Sequence, residues 1–173
     1  MRVNKEKVLF GFRIFLVLMM LGTLVFIFVN SCLPKEISSE ESAAVGGFIT
    51  SLIPEDTDLY RFVTEYIRKI AHFTEYGMLG IEIAVYIMIY GKGRVRLALL
   101  SSLIPLFVGF TDETIQILSD RGPSISDVWI DLGGFIFFSL IAWGGMCLSV
   151  FLYKLILKEI AKNGKKRSRD WLR

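Results

Sequence analysis

The chain carries one histidine and two cysteines in 173 residues. A single imidazole excludes a multi-histidine metal centre within one chain. Cys32 and Cys147 are too far apart to read as a zinc motif or as part of a disulfide framework. No metal and no other cofactor is expected on these grounds. Proline is scarce, with four residues, so long stretches are free of helix breakers. Charge is thin as well: Asp, Glu, Lys and Arg make up 21% of the chain against 53% hydrophobic residues. The net charge of +3 is small, and no nucleic-acid partner is expected. A mean hydropathy of +0.54 is too apolar for an ordinary soluble domain. These shortages leave a membrane protein as the class, with the lipid bilayer as its first partner.

Four apolar runs are long enough to cross it. Val8 to Val29 is broken only by Arg13, and its length at about 1.5 Å per residue matches a hydrocarbon core of roughly 30 Å. It exceeds the usual signal-peptide core of about 7 to 15 residues. Asn30 fits poorly with a lipoprotein-type cleavage before Cys32. Further spans are expected at about 69–90, 97–118 and 125–153, the third bent or capped near Pro105. Residues 31–66 read as a long, acidic outer loop bounded by Pro34 and Pro54, with room for short interfacial helices around 42–52. The fold class is therefore an all-α membrane protein, a single domain over residues 1–173, with four transmembrane helices and a long outer loop between the first and second.

Lys and Arg are unequally distributed. Fifteen lie in the N-terminal segment, the 91–96 turn and the basic tail 154–173, and five lie on the other side, namely Lys35, Arg61, Arg68, Lys69 and Arg121. The excess places both termini in the cytoplasm. The tail can rest on anionic headgroups as well as fix topology.

Polar residues inside the spans are the exception to this apolar pattern. Arg68, His72, Glu75, Glu82 and Tyr86 recur at helical steps on one face of the second span. Gly109, Asp112, Glu113 and Gln116 share a face of the third, and Ser124, Asp127, Asp131 and Gly134 a face of the fourth. An acid or base facing lipid near the bilayer centre costs about 2.5 to 3.5 kcal/mol, so such faces turn inward and find partners. Glu75, Asp112 and Asp131 lie at matching depths from their outer span ends, and Gly77, Gly80, Gly133 and Gly134 allow backbones to approach there. One polar site is expected, lined by Lys69, His72, Glu75, Asp112, Glu113, Gln116, Arg121, Asp127 and Asp131. Its acids cannot all be ionised in a confined volume. Arg121 in the outward turn suits capture of a phosphate or carboxylate. His72, Glu75 and Glu113 are the candidates for general acid–base chemistry. Glu82 sits deeper and reads as a proton-relay group or as a buried neutral acid. The phenylalanine stripes read as packing or lipid contact, and Cys147 as inert.

The order Lys69-x-x-His72-Phe73-x-x-Tyr76, Asp112-Glu113-x-x-Gln116, Arg121, Asp127-x-x-x-Asp131-x-x-Gly134 within four spans resembles the VanZ-like family. The run Ser38-Ser39-Glu40-Glu41-Ser42 looks like that family's outer loop. The resemblance implies a small multi-pass protein of the bacterial cytoplasmic membrane, in a family whose founding member is linked to teicoplanin resistance. Two departures stand out. Ile115 occupies the place where many relatives carry His in an Asp-Glu-x-His-Gln pattern, and Asp131 stands where others have Asn. Chemistry that needs a second imidazole is therefore not supported here.

Three functions suit this pattern. The leading one is an outward-facing polar site that engages a lipid-linked envelope or peptidoglycan precursor, or a phospholipid headgroup, with a possible effect on glycopeptide susceptibility. The alternatives are an intramembrane enzyme modifying such a lipid and a proton-coupled small transporter. The last needs a wider pore than four helices give, and so a homodimer.

Overall fold

The computed structural model describes residues 5–90, 94–118 and 124–170. Six helices follow one another: α1 (Lys5–Cys32), α2 (Lys35–Thr50), α3 (Asp58–Tyr90), α4 (Arg94–Ser101), α5 (Leu103–Leu118) and α6 (Ile125–Asp170). No strand occurs among the described residues. Four stretches are long and apolar enough to cross a membrane: Glu6–Cys32, Asp58–Tyr90, Arg94–Leu118 and Ile125–Lys162. The expected all-α architecture with four spans is what the chain adopts.

The helices form a closed ring. α3 packs on α1 and most extensively on α6, and α5 packs on those same two helices. α3 and α5 themselves scarcely meet, so they oppose each other across the bundle and their inner faces border its axis. Ile27, Tyr76, Leu79, Ile83, Ile87, Val108 and Phe135 form the apolar core. Large apolar side chains elsewhere, such as Phe10, Phe107, Trp129 and Phe151, are exposed, as befits helices whose outer surface meets lipid.

Glycine sets the closeness of α3 and α6. A Cβ at Gly134 would collide with the Phe73 carbonyl, and one at Gly80 with the Phe135 carbonyl. Backbone is in the way, so neither neighbour can yield. Ser139 Oγ donates to the Gly80 carbonyl at 3.0 Å across this seam. At Gly77 the obstacle is the Phe138 ring. Gly133 is different, since an added Cβ there would meet only Phe73 at 3.8 Å, an ordinary contact.

In place of the expected long loop between the first two spans stand a helix and an early helix start. α2 fills residues 35–50 and lies against α3. Its sequence is polar yet holds no proline between Pro34 and Pro54, so nothing stops it from coiling once α3 offers a surface. α3 begins at Asp58, well before residue 69. Thr57 caps it, its Oγ1 accepting from the Tyr60 N–H at 3.2 Å, and Asp58 in the first turn suits the positive helix end.

Two further boundaries shift. The third span is two helices, α4 and α5, parted at Ser102. Pro105 accounts for the place, because its ring clashes with the carbonyl four residues back, at Ser101, and its missing N–H leaves that carbonyl unbonded. The helix that holds the fourth span runs past residue 153. α6 continues through the basic segment to Asp170, since Leu155, Ile156, Leu157 and Ala161 favour helix and no breaker precedes Gly164.

Candidate functional site

Three helices bring acids and their partners to the bundle axis. His72 comes from α3, Asp112, Glu113 and Gln116 from α5, and Asp127 and Asp131 from α6. All six are buried, with Asp112, Gln116 and Asp131 fully shielded. The spacing of three and four that places them on inner faces is visible in each helix.

One side of the site is a connected polar chain. Arg68 Nη2 donates to Gln116 Oε1 at 2.7 Å. Gln116 Nε2 then makes longer contacts, each 3.4 Å, with Asp112 Oδ2 and Glu113 Oε1. Glu113 Oε2 accepts the backbone N–H of Ser124 at 2.6 Å. Ser124 precedes α6, and its carbonyl accepts from the Asp127 N–H at 2.9 Å. In a capping box the acid three residues on would bond the cap residue's N–H. Here Glu113 of a neighbouring helix does so instead, which ties α5 to the start of α6. Asp127 Oδ1 accepts from Ser124 Oγ at 3.1 Å and from Ser126 Oγ at 3.3 Å.

The other side is not connected. His72 Nδ1 lies 3.5 Å from Asp131 Oδ1 and 3.7 Å from Asp112 Oδ2. Both separations exceed the 2.7–3.2 Å range of a hydrogen bond. His72 Nδ1, Tyr76 OH, Asp112 Oδ1 and both carboxylate oxygens of Asp131 are buried without a hydrogen-bond partner. A buried polar atom left unpaired costs about 1 to 3 kcal/mol. Several converge here, on three helices, at one level of the bundle. His72, Asp112 and Asp131 each present one ligand-type atom, and the three atoms lie within 4.8 Å of one another. The sequence shows no metal motif because these donors come from three separate helices rather than from one short spacing.

The remaining expected residues are placed as follows. Glu75 is half-buried, and its Oε1 accepts from Asn30 Nδ2 of α1 at 2.9 Å. Lys69 is exposed and lies over the Tyr66 ring at 5.5 Å, turned away from the polar chain. Arg121 lies outside the described residues. Glu82 is separate from the site: buried on α3, it accepts from Thr23 Oγ1 of α1 at 2.9 Å.

Asn30 joins the site, and Thr23 bonds Glu82 outside it, without having been expected to do so. A signal existed for both, since Thr23 and Asn30 are polar residues within the apolar run of α1. Charge at the other end of α1 is handled by Arg13, whose Nη2 donates to the Ile89 carbonyl at 3.2 Å and whose guanidinium stands 5.6 Å from the Tyr90 ring centre.

No curated protein and no solved structure matches this chain. Residues 12–152 match the family model described as VanZ/LLP1. That stretch runs from α1 into α6 and contains every described residue of the polar site, so the chain belongs to the VanZ/LLP1 family.

Proposed function

We propose that this VanZ-family membrane protein holds the polar head of a cell-envelope lipid, a phospholipid or a lipid-linked peptidoglycan precursor, between α3, α5 and α6. The observation that carries the reading is the group of buried, unpartnered atoms on His72, Tyr76, Asp112 and Asp131. A network that only locked helices together would pair its own members, because interhelical hydrogen bonds in membranes are worth about 0.6 kcal/mol on average, less than the insertion of a charge costs. Atoms left without internal partners at a shared point suit a polar ligand that supplies them.

Lys and Arg asymmetry supports a bacterial cytoplasmic membrane orientation with both termini inside. The site then opens toward the envelope, near the end of the bundle that carries α2. Carboxylates suit the hydroxyls and amines of a headgroup, and Arg68 suits its phosphate. An apolar cavity of about 340 Å³ lies between α3, α4 and α6, lined by Ile83, Ile87, Leu99, Phe135 and Trp143 among others. Ile83 is eleven residues from His72, about 16 Å along α3, in the direction an acyl or prenyl tail would take from a head held at the site. An effect on teicoplanin susceptibility would follow if the lipid held is one the antibiotic targets.

Lipids copurifying with the full-length protein, identified by mass spectrometry, test this. Wild type is expected to enrich one headgroup class, and Arg68→Ala to reduce that enrichment at least about tenfold. Identical lipid profiles in the two proteins, each still folded, would overturn it.

A further inference from the structure

We infer that His72, Asp112 and Asp131 form a binding site for a divalent first-row transition-metal ion, Zn²⁺ or Mn²⁺, through His72 Nδ1 and one carboxylate oxygen of each aspartate. The inference deepens the reading above and rests on it for the role of the ion. Geometry is the first support. Ligands bound at about 2.0–2.2 Å in tetrahedral arrangement stand roughly 3.4 Å from one another. The observed separations from His72 Nδ1 are 3.5 and 3.7 Å. They are too long for hydrogen bonds and close to the edge of such a tetrahedron.

Donor chemistry is the second. An imidazole with two carboxylates suits Zn²⁺ or Mn²⁺, whereas Mg²⁺ prefers an all-oxygen octahedron and keeps its waters. The side chains are buried, Asp112 and Asp131 completely, and both oxygens of Asp131 lack any other partner. These orphaned atoms show that the cluster is more than a patch of acids. Two adjacent carboxylates repel in a low-dielectric interior, and a dication between them cancels their charge.

The surroundings hold the donors in place. Gln116 contacts Asp112 Oδ2 and is itself anchored by Arg68, so it holds in place the aspartate oxygen that would meet the ion. Gly109 leaves room for Asp131, since a Cβ there would sit 3.3 Å from its Oδ2. Three protein ligands leave a tetrahedral position open, as in metal sites that bind substrates. A phosphate oxygen from a lipid headgroup fits that position. The ion thereby explains how a site rich in carboxylates accepts an anionic lipid.

The test uses full-length protein in detergent, stripped with chelator, then titrated separately with ZnCl₂ and MnCl₂. Wild type is expected to retain about one equivalent after desalting, by elemental mass spectrometry, and to give a bound Mn²⁺ resonance signal. His72→Gln and Asp131→Asn are expected to weaken binding at least about 100-fold, and Glu82→Gln to leave it unchanged. Thermal melting and size-exclusion profiles confirm that each variant is folded. Should a ligand variant fail to fold, Gln116→Leu, expected to weaken the ion about 10- to 100-fold through Asp112, takes its place. Retention below about 0.1 equivalents by wild type, or equal binding by wild type and the ligand variants, would overturn the inference. Headgroup enrichment measured on the same stripped samples separates the two readings. Enrichment that depends on Arg68 without metal retention defeats the ion alone, and metal retention without any lipid enrichment defeats the headgroup reading alone.

Discussion

Two places in this bundle bury acids, and they are built differently. Glu82 is a lone carboxyl with one donor, Thr23 on the adjacent α1, among apolar neighbours of the core. At His72, Asp112 of α5 and Asp131 of α6 leave three oxygens unpaired beside the unpaired His72 Nδ1 and Tyr76 OH of α3. The first arrangement is one polar contact between neighbouring helices, with Glu82 Oε1 bonded and Oε2 the single atom left over. The second exceeds anything pairing needs and carries a standing cost. Burial alone therefore does not mark a functional acid in a membrane protein. Several unpaired atoms from three helices meeting at one point are what the proposed headgroup site adds.

The comparison depends on α6 being pressed against α3, and the largest expected effect attacks that seam. Gly134→Ala places a methyl against the Phe73 carbonyl and is expected to lower stability by about 1 to 3 kcal/mol through forced backbone separation. Gly133→Ala, one residue away and meeting only an ordinary contact with Phe73 at 3.8 Å, is expected to stay within about 0.5 kcal/mol. Reversible unfolding in mixed micelles reads both. Equal effects would mean that the helices are not seated as described.

The second prediction separates the two acid sites directly. Asp131→Asn removes a buried carboxylate with no hydrogen-bond partner and is expected to raise stability by roughly 1 kcal/mol in chelator-stripped protein, while headgroup binding by the protein as purified is lost. Glu82→Gln is expected to leave headgroup binding as it was. A destabilised Asp131→Asn in the same assay would show that Asp131 serves the fold first.

How legible these sites were differs in the same way. The inner faces of α3, α5 and α6 could be read from residue spacing, because an acid every three or four positions in an apolar helix has one physical interpretation. Their common level was legible too, since α5 ends at Leu118 and α6 starts at Ile125 as expected, although the start of α3 was misplaced. α3 starts at Asp58, and the Thr57 cap that begins it lies within what reads as a loop. The level survived because relative register along three helices fixes it, wherever each helix begins. Partners contributed by α1 were not legible. Thr23 and Asn30 look like tolerated polar residues until α1 is docked and they are found bonded to Glu82 and Glu75. Lys69 stands apart from the buried group for a related reason. One step along a helix turns a side chain by about 100°, so Arg68 faces Gln116 while its neighbour faces Tyr66.

A smaller effect tests the lone acid. If Glu82 serves only to join α1 to α3, a double-mutant cycle of Thr23→Val with Glu82→Gln should give a coupling of about 0.6 kcal/mol, the usual size for such bonds in membranes. Proton-coupled flux in proteoliposomes that disappears in Glu82→Gln would break the comparison, because Glu82 would then be a working group with a single partner.

The smallest expected effect concerns two adjacent cations. Lys69 is exposed, and its ammonium lies over a tyrosine ring on its own helix, an arrangement that holds the charge away from the bundle axis. Lys69→Ala should leave headgroup enrichment within about twofold of wild type, whereas Arg68→Ala should reduce it at least about tenfold. Both substitutions remove one positive charge from the same helical turn, so a long-range field would respond nearly equally to each. A difference between them would trace the effect to direction and contact, because only Arg68 reaches the glutamine that touches both Asp112 and Glu113. Equal losses would mean that headgroups are gathered by overall charge at the membrane surface, and the buried cluster would then need another role.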